Sequence, residues 1–559
     1  MAATIYVDAT PGGNCSGNYS IANKNCTGSD GYSYTTIQAA VNAHSSGDTI
    51  YIRTGTYTER VGLSGGAQNT AWTNLWAFTG ESPILDGGGS NVVGISSGMY
   101  DGQNDLVRNY WYIKGLEIRN YGGSTGGGIR FNNSTTGTTD PNAVGTEYLK
   151  IEDCIIHDNQ TYGIKIGGGG VSGTKTHDIT ILNNTVYSNG SSCASTSDHG
   201  IKMDGAASGH PTDQTQSHTI LIHGNTVYEN NAHGIYSSTG NYDITVTGNT
   251  SYDNCRVGIG FNENWNVTAT NNLVYGNGTH SSGWRYGMLS NLSDNANFSY
   301  NYVYDNLYSG ISIVGEHASL STQNYVIGNI IYENNKDTAS SEQAGIVIET
   351  TTKTYVHNNT VVNNNIVANS NGKEIYITTD DGHQIKNNIF ADTGADNGQP
   401  IIRCASGASW TADDINYNIY YTPSVATEFL WGSTTYSFDD WKTNSLMDTN
   451  STEENPGFTA QGSDDYTLTG VISGRASGTG YDTCLDSSST FGAGGTVVTD
   501  TCDSIGAYEY GSEDSEETII KKIMNYFRRL RGDNGITQDN QAAHQNALAQ
   551  VQEHLAQRP

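Results

Sequence analysis

The sequence predicts an all-β fold, a parallel β-helix wound as a single-stranded solenoid, and three observations predict it. One is an internal repeat: the segment from Ile220 to Tyr236, carrying Asn225, Tyr228, Asn230 and Gly234, is followed by Ile244 to Phe261, carrying Asn249, Tyr252, Asn254 and Gly258. Asn225 and Asn249 are 24 residues apart. Each unit holds three short β-branched runs broken by Asn or Gly, the content of one coil. The second observation is the reach of that grammar. The Asn recurs at 184, 225, 249, 272, 301, 329, 359 and 388, and the Gly at 128, 163, 200, 234, 258, 287, 310 and 345. The third is an exclusion: from residue 1 to 510 no more than one short segment keeps a 3.6-residue period, so a helical-repeat solenoid does not fit.

The elements follow in order. Residues 1–60 read as strand, loop, helix and strand: Thr4-Ile-Tyr-Val7 is β-type, and Ile37, Ala40 and Val41 share one face of a short helix with Thr35 or Thr36 as N-cap. Such a helix would cover the open end of the first coil. Residues 61–410 are the coils, with Ile235, Ile259, Ile311 and Ile346 expected inside and Asn at the corners, where it tolerates left-handed backbone and bonds its copy in the next coil. Residues 411–510 lose the clean repeat and read as irregular last coils and a closing segment. From Gly511 the composition changes to an α-helical hairpin tail, residues 511–559. Its first helix carries Ile519, Ile520, Ile523, Met524, Phe527 and Leu530 on one stripe, which makes self-association through this tail one expectation.

The motifs Tyr6-Val-Asp8, Thr36-Ile-Gln-Ala-Ala-Val41 and Gly47-Asp48-Thr-Ile-Tyr-Ile-Arg53-Thr-Gly55-Thr-Tyr57-Thr-Glu59 resemble the N-terminal cap of secreted right-handed parallel β-helix proteins of the pectate-lyase-like superfamily. Cys502-Asp-Ser-Ile-Gly-Ala-Tyr-Glu509 resembles a closing segment of the same proteins. The resemblance covers roughly residues 4–510 and implies a right-handed coil. It does not single out a reaction, since that superfamily holds lyases, hydrolases, epimerases and proteins without chemistry. The Asp-Pro-His signature of the alginate epimerases is absent; the nearest match is Asp140-Pro-Asn142.

Composition narrows the function. The net charge of −30, from 56 acidic and 26 basic residues, argues against nucleic acid or an anionic membrane as partner. No run of 18 apolar residues exists, so no membrane span is expected. Tyr 36 against Phe 10, with 68 Gly, describes a polar aromatic surface on a turn-rich fold, and such surfaces suit sugars. Met1-Ala-Ala running straight into a β segment reads as the start of a mature secreted or cell-surface chain without its signal peptide. Spacing suggests disulfides Cys15–Cys26 and Cys484–Cys502, while Cys154, Cys193, Cys255 and Cys404 stay open between free and paired.

A strand Gly-Ile-x-Ile sends both Ile inward, so the position two after each repeat Gly faces solvent. Read coil by coil, that position is Arg130, Lys165, Lys202, Tyr236 and Gly260. One before the Gly stand Tyr162, His199, His233, Val257 and Tyr286; two before stand Asp198, Ala232, Arg256 and Arg285. Of the seven Lys and Arg between residues 121 and 290, five fall in these windows. Long insertions at 136–146, 168–177, 191–198 and 205–217 flank the same strands, and long loops on a rigid scaffold are where binding and catalysis concentrate.

A basic floor on an acidic protein suits an acidic polysaccharide. Cleavage of a uronate by β-elimination needs a cation at the carboxylate, a base for the α-proton and an acid for the leaving oxygen. Lys202 or Lys165 would supply the cation and His199, His233 or Tyr236 the base. Arg130, Lys165, Tyr162, Arg256, Arg285 and Tyr286 would bind substrate. A glycoside hydrolase using two carboxylates, and a non-catalytic glycan-binding, adhesin or filament protein, are the alternatives. Asp198, Asp204, Glu263 and Asp294 are the carboxylates that could hold Ca²⁺ or form a hydrolase pair; no other cofactor is implied.

Overall fold

The computed structural model describes the chain between residues 2 and 468 and at 490–491 and 497–498, leaving out short stretches, of which 99–106, 133–144, 168–175, 206–216, 365–373 and 405–413 are the longest. The expected helical tail, the Cys484–Cys502 pair and most of the closing segment lie outside the described residues, as do most of the insertions at 136–146, 168–177 and 205–217. The chain divides into two compact units, Met1–Trp265 with Asn277–Arg285, and Asn266–Gly276 with Tyr286–Pro559.

In the first unit each coil contributes one strand to each of three parallel sheets. One coil reads His218–His223 in the first sheet, Thr226–Tyr228 in the second and Ile235–Ser238 in the third; the next reads Tyr242–Thr247, Thr250–Tyr252 and Ile259–Asn262. Register holds without slip, Ile220 on Ile244, Val227 on Ser251 and Ile235 on Ile259. Strand alternation therefore drives one column of Ile and Val into the interior of every sheet, where Ile222, Val227, Ile235 and Ile259 are buried. The helix Ile37–Ala43 is capped by Thr36, whose hydroxyl accepts from the Ala39 N–H at 3.2 Å, and it buries Ile37, Ala40 and Val41. The second unit repeats the three-sheet pattern, with Ile311 on Ile346 and Val303 on Ile331, until Glu428–Trp431 turns back on Thr434–Ser437 as an antiparallel pair.

The corners explain the Asn. In the first unit the Asn184 amide donates to Asn225 Oδ1 at 2.9 Å and Asn225 to Asn249 at 2.9 Å. A second column, Asn159, Asn189, Asn230, Asn254 and Asn277, runs at 2.9–3.0 Å per step. The expected left-handed backbone is present but sits one residue earlier: Asn183, Gly224 and Gly248 precede the first column, and Asp158, Ser188, Glu229 and Asp253 the second, all with positive φ. That residue makes the turn, and the Asn behind it points inward to satisfy buried backbone groups. The second unit has two Asn columns of its own, and each ends on a carboxylate. Asn364 donates to Glu374 at 2.7 Å, and Asn418 donates to Ser451 and Asp448. The repeat Gly has a different cause: a Cβ on Gly163 would meet Val186 Cγ1 at 2.3 Å, and one on Gly234 would meet Ser251 Oγ at 2.4 Å. Only a residue without a side chain lets the coil close there.

Candidate functional site

The outer face of the third sheet in the first unit carries the polar column that alternation predicts. Strands Ile129–Phe131, Ile164–Gly167, Ile201–Asp204, Ile235–Ser238 and Ile259–Asn262 pair in register, setting Arg130 on Lys165, Lys165 on Lys202, Lys202 on Tyr236 and Tyr236 on Gly260. Neighbouring members are one strand spacing apart, about 4.8 Å. A parallel column two residues on sets Gly167 on Asp204 and Asp204 on Ser238.

Asp204 ties these columns together. Its carboxylate meets Lys165 Nζ at 2.8 Å through one oxygen and Lys202 Nζ at 3.0 Å through the other, and Ser238 donates its hydroxyl at 2.6 Å. Burial pushes Asp204 up, but the two ammonium groups and the hydroxyl outweigh it and hold the carboxyl below its usual range. Burial also draws the Lys165 ammonium toward the neutral amine; Asp204 opposes this, while Lys202 and Arg130 add to the fall. One carboxylate thus serves two lysines, and the patch keeps a surplus of positive charge. The sequence offered Asp204 as a Ca²⁺ ligand or hydrolase carboxylate, not as the partner of the two lysines. Its signal was the spacing Lys202-x-Asp204, which puts both on the same side of one strand.

Tyr162 borders the upper end of the column. Its ring centroid lies 5.7 Å from the Arg130 guanidinium carbon and 6.0 Å from Lys165 Nζ, and the ring occupies the space a Cβ on Gly127 would fill. Arg130 Nε donates to Asn132 at 2.7 Å. At the lower end Tyr236, expected to face solvent, is buried instead, because its ring packs over Gly260, where a Cβ would come to 3.0 Å from it, and against His199 and His233. Burial and the nearby carboxylates of Asp204 and Glu263 raise the Tyr236 hydroxyl, which therefore keeps its proton.

His199 and His233 lie behind this surface. Their rings stack at 5.0 Å, and each stacks on Tyr236, at 5.2 and 4.4 Å. Both are buried, and His233 Nδ1 accepts the Val257 N–H at 3.1 Å, which leaves the proton on Nε2. Burial, with Arg256 and Lys202 close by, lowers His233 to about 3, so it is a neutral imidazole at any ordinary pH. The geometry makes the two histidines a support under Tyr236.

The remaining expected residues separate. Arg256 donates to the carbonyls of Cys193 and Ala194, each at 3.3 Å, and so holds a loop. Arg285 is buried, its backbone and Cβ packed against Gly278. Tyr286 belongs to the second unit, edge-on to Tyr308 at 5.7 Å. These positions precede the repeat Gly in a corner, where strand alternation does not govern direction. Asp198 accepts from Ser191, and Asp294 is a buried residue of the second unit. Among the described residues no group of three His, Cys, Asp or Glu is disposed to hold a metal ion. Asp204 does not fit Ca²⁺, since each of its oxygens already faces an ammonium group.

The family model described as a right handed beta helix region matches residues 212–390. The chain is a right-handed parallel β-helix. No curated protein matches its sequence. Among solved structures, it is similar to the A-module of the mannuronan C-5 epimerase AlgE4 of Azotobacter vinelandii, at 15% identity over 75% of this chain and 95% of that one, TM-score 0.30. It is also similar to pectate lyase Pel9A, at 16% identity over 64% and 76%, TM-score 0.35, and to the DFA-IIIase of Arthrobacter chlorophenolicus A6, at 13% over 73% and 99%, TM-score 0.40.

Proposed function

We propose that this is a carbohydrate-active β-helix protein whose third sheet binds an acidic glycan, and that it cleaves a uronate-containing polysaccharide by β-elimination. The carrying observation is the column Arg130, Lys165, Lys202: three cations on successive strands of a protein of net charge −30, two of which, Lys165 and Lys202, are paired with the carboxylate of Asp204. Like charges in register repel, Asp204 offsets that repulsion for the two lysines, and the excess positive charge of the column suits an anionic chain laid along it.

In this reading Arg130 and Lys202 bind the uronate carboxylate and neutralise the charge that builds on it as the enolate forms. Lys165, eased toward the amine, takes the C5 proton. The C4–O bond then breaks, a C4–C5 double bond forms, and the hydroxyl of Tyr236 protonates the departing oxygen. Tyr162, itself buried, backs the Arg130 and Lys165 side chains, and His199 and His233 pack against Tyr236. The protein is read as secreted or cell-surface; no helix among the described residues is long and apolar enough to cross a membrane.

The test is incubation with alginate, pectate and glycosaminoglycans, following the ultraviolet absorbance of the unsaturated uronate. Only elimination creates that chromophore. New reducing ends without it would indicate hydrolysis, and retention of glycan without cleavage would leave a binding protein.

A further inference from the structure

Cys193 and Cys255, whose pairing the sequence left open, are joined. The bond skips a coil. Cys193 follows strand Thr185–Tyr187 and Cys255 follows Thr250–Tyr252, while Thr226–Tyr228 lies between them and pairs with both. The segment Gly190–Ala194 therefore crosses the intervening coil as a strap. Beneath it Asn231 donates its side-chain amide to the Gly190 carbonyl at 2.7 Å. A Cβ on Gly190 would fall 2.7 Å from the Asn231 Cβ and 2.5 Å from that of Asp198, so the strap sits close on the coil. Arg256, next to Cys255, donates to the Cys193 and Ala194 carbonyls. Asp198 accepts from the Ser191 N–H at 2.8 Å and hydroxyl at 3.2 Å, and it leads directly into His199, which stacks on Tyr236.

We propose that Cys193–Cys255 is a redox-sensitive latch that holds this strap, and through Asp198 and His199 the packing under Tyr236, in its working position. As regulation of the glycan site, the proposal rests on the function read there; as a latch on the strap it does not. Cys193 is half-exposed and Cys255 buried, so the sulfur of Cys193 is the one a small dithiol or a dithiol–disulfide oxidoreductase reaches. Its thiolate attacks Cys193 Sγ, the Cys193–Cys255 bond breaks, and Cys255 leaves as a thiolate that takes a proton. The reductant's second thiol resolves the mixed disulfide, releasing Cys193 as a thiol and the reductant as its own disulfide. Arg256 then has no fixed carbonyls to hold, and the strap is left with Asn231, Asp198 and the Gly190 N–H bond to the Asn159 carbonyl at 2.8 Å.

The experiment compares the full chain, oxidised and after mild dithiothreitol treatment, with Cys193→Ser. Backbone amide exchange over residues 188–205 is followed alongside thiol labelling, with the buried free thiol of Cys154 reporting global opening. The latch predicts a several-fold rise in exchange at Gly190–Ala194 and His199 with Cys154 unlabelled, restored on reoxidation. It also predicts a several-fold rise in KM for uronan elimination, with reversal on reoxidation. Unchanged exchange after Cys193 and Cys255 have been shown reduced overturns it. So does finding both as free thiols in protein kept under air. If Cys193→Ser does not fold, the reduced and reoxidised native chain decides alone. If the strap loosens on reduction while the oxidised chain cleaves no uronan, the latch stands and the lyase reading falls.

Discussion

Two columns of the same unit, built on the same coils, carry opposite lessons. On the second sheet His157, Tyr187, Tyr228 and Tyr252 stack with centroids 4.7, 4.9 and 4.8 Å apart and planes within 5° of parallel. Each ring completes the packing of the one before it, so repetition of the residue is itself the stabilising device. On the third sheet the same spacing brings Arg130, Lys165 and Lys202 together, and repetition is a cost offset locally by Asp204. A column whose residue type suits its own neighbours is structural. One whose neighbours repel favours a bound anion, and in the function proposed above that anion is a polyanion running along the coils.

Substitutions can break this contrast, and they rank by size. Lys202→Ala should lower the elimination rate on the order of 10²- to 10⁴-fold while changing the melting temperature little, because the repulsion removed offsets the lost ion pair with Asp204, which keeps Lys165 and Ser238. An unaltered rate would remove Lys202 from the chemistry. Asn230→Ala should do the reverse, costing roughly 2–4 kcal/mol in denaturant unfolding. Its amide donates to Asn254, Val186 and Tyr228, and its oxygen accepts from Asn189, all within the coil corner. Asp204→Asn should sharpen the account of the lysines: without the carboxylate the Lys165 ammonium falls further, so the pH at which elimination switches on moves down. Since Lys165 must be the free amine, the rate rises with pH through its lowered pKa; a rate that falls over that range contradicts its role as base. Tyr228→Ala, in the stacked column, should cost only about 1 kcal/mol and no activity.

Much of this was legible in the residues because strand alternation has a strict period. Counting two residues on from each repeat Gly places Arg130, Lys165, Lys202 and Tyr236 at one position of one sheet, and the strands keep that register although the Gly residues are 34 to 37 residues apart there. What precedes the repeat Gly was not legible. There the chain leaves a corner, and no period says whether a side chain turns out, as a substrate ligand would, or in, as His199, His233 and Arg285 do. Arg256 was found by the same window and holds the strap instead. The second Asn column was present in the repeat at Asn230 and Asn254, but only one Asn per coil was followed along the chain; the hydrogen bonds extend the second from Asn159 to Asn277. The strap itself joins residues 62 apart, and no local pattern announces such a pair.

The claim beneath all of this is that three in-register cations on the third sheet exist to hold a uronate chain. It is tested most directly by mixing the intact protein and its Lys202→Ala and Lys165→Ala forms with alginate and pectate and recording unsaturated uronate. The account predicts that at least one polymer gives the chromophore with the native chain and neither variant does. Native and variant forms releasing it equally would contradict the account.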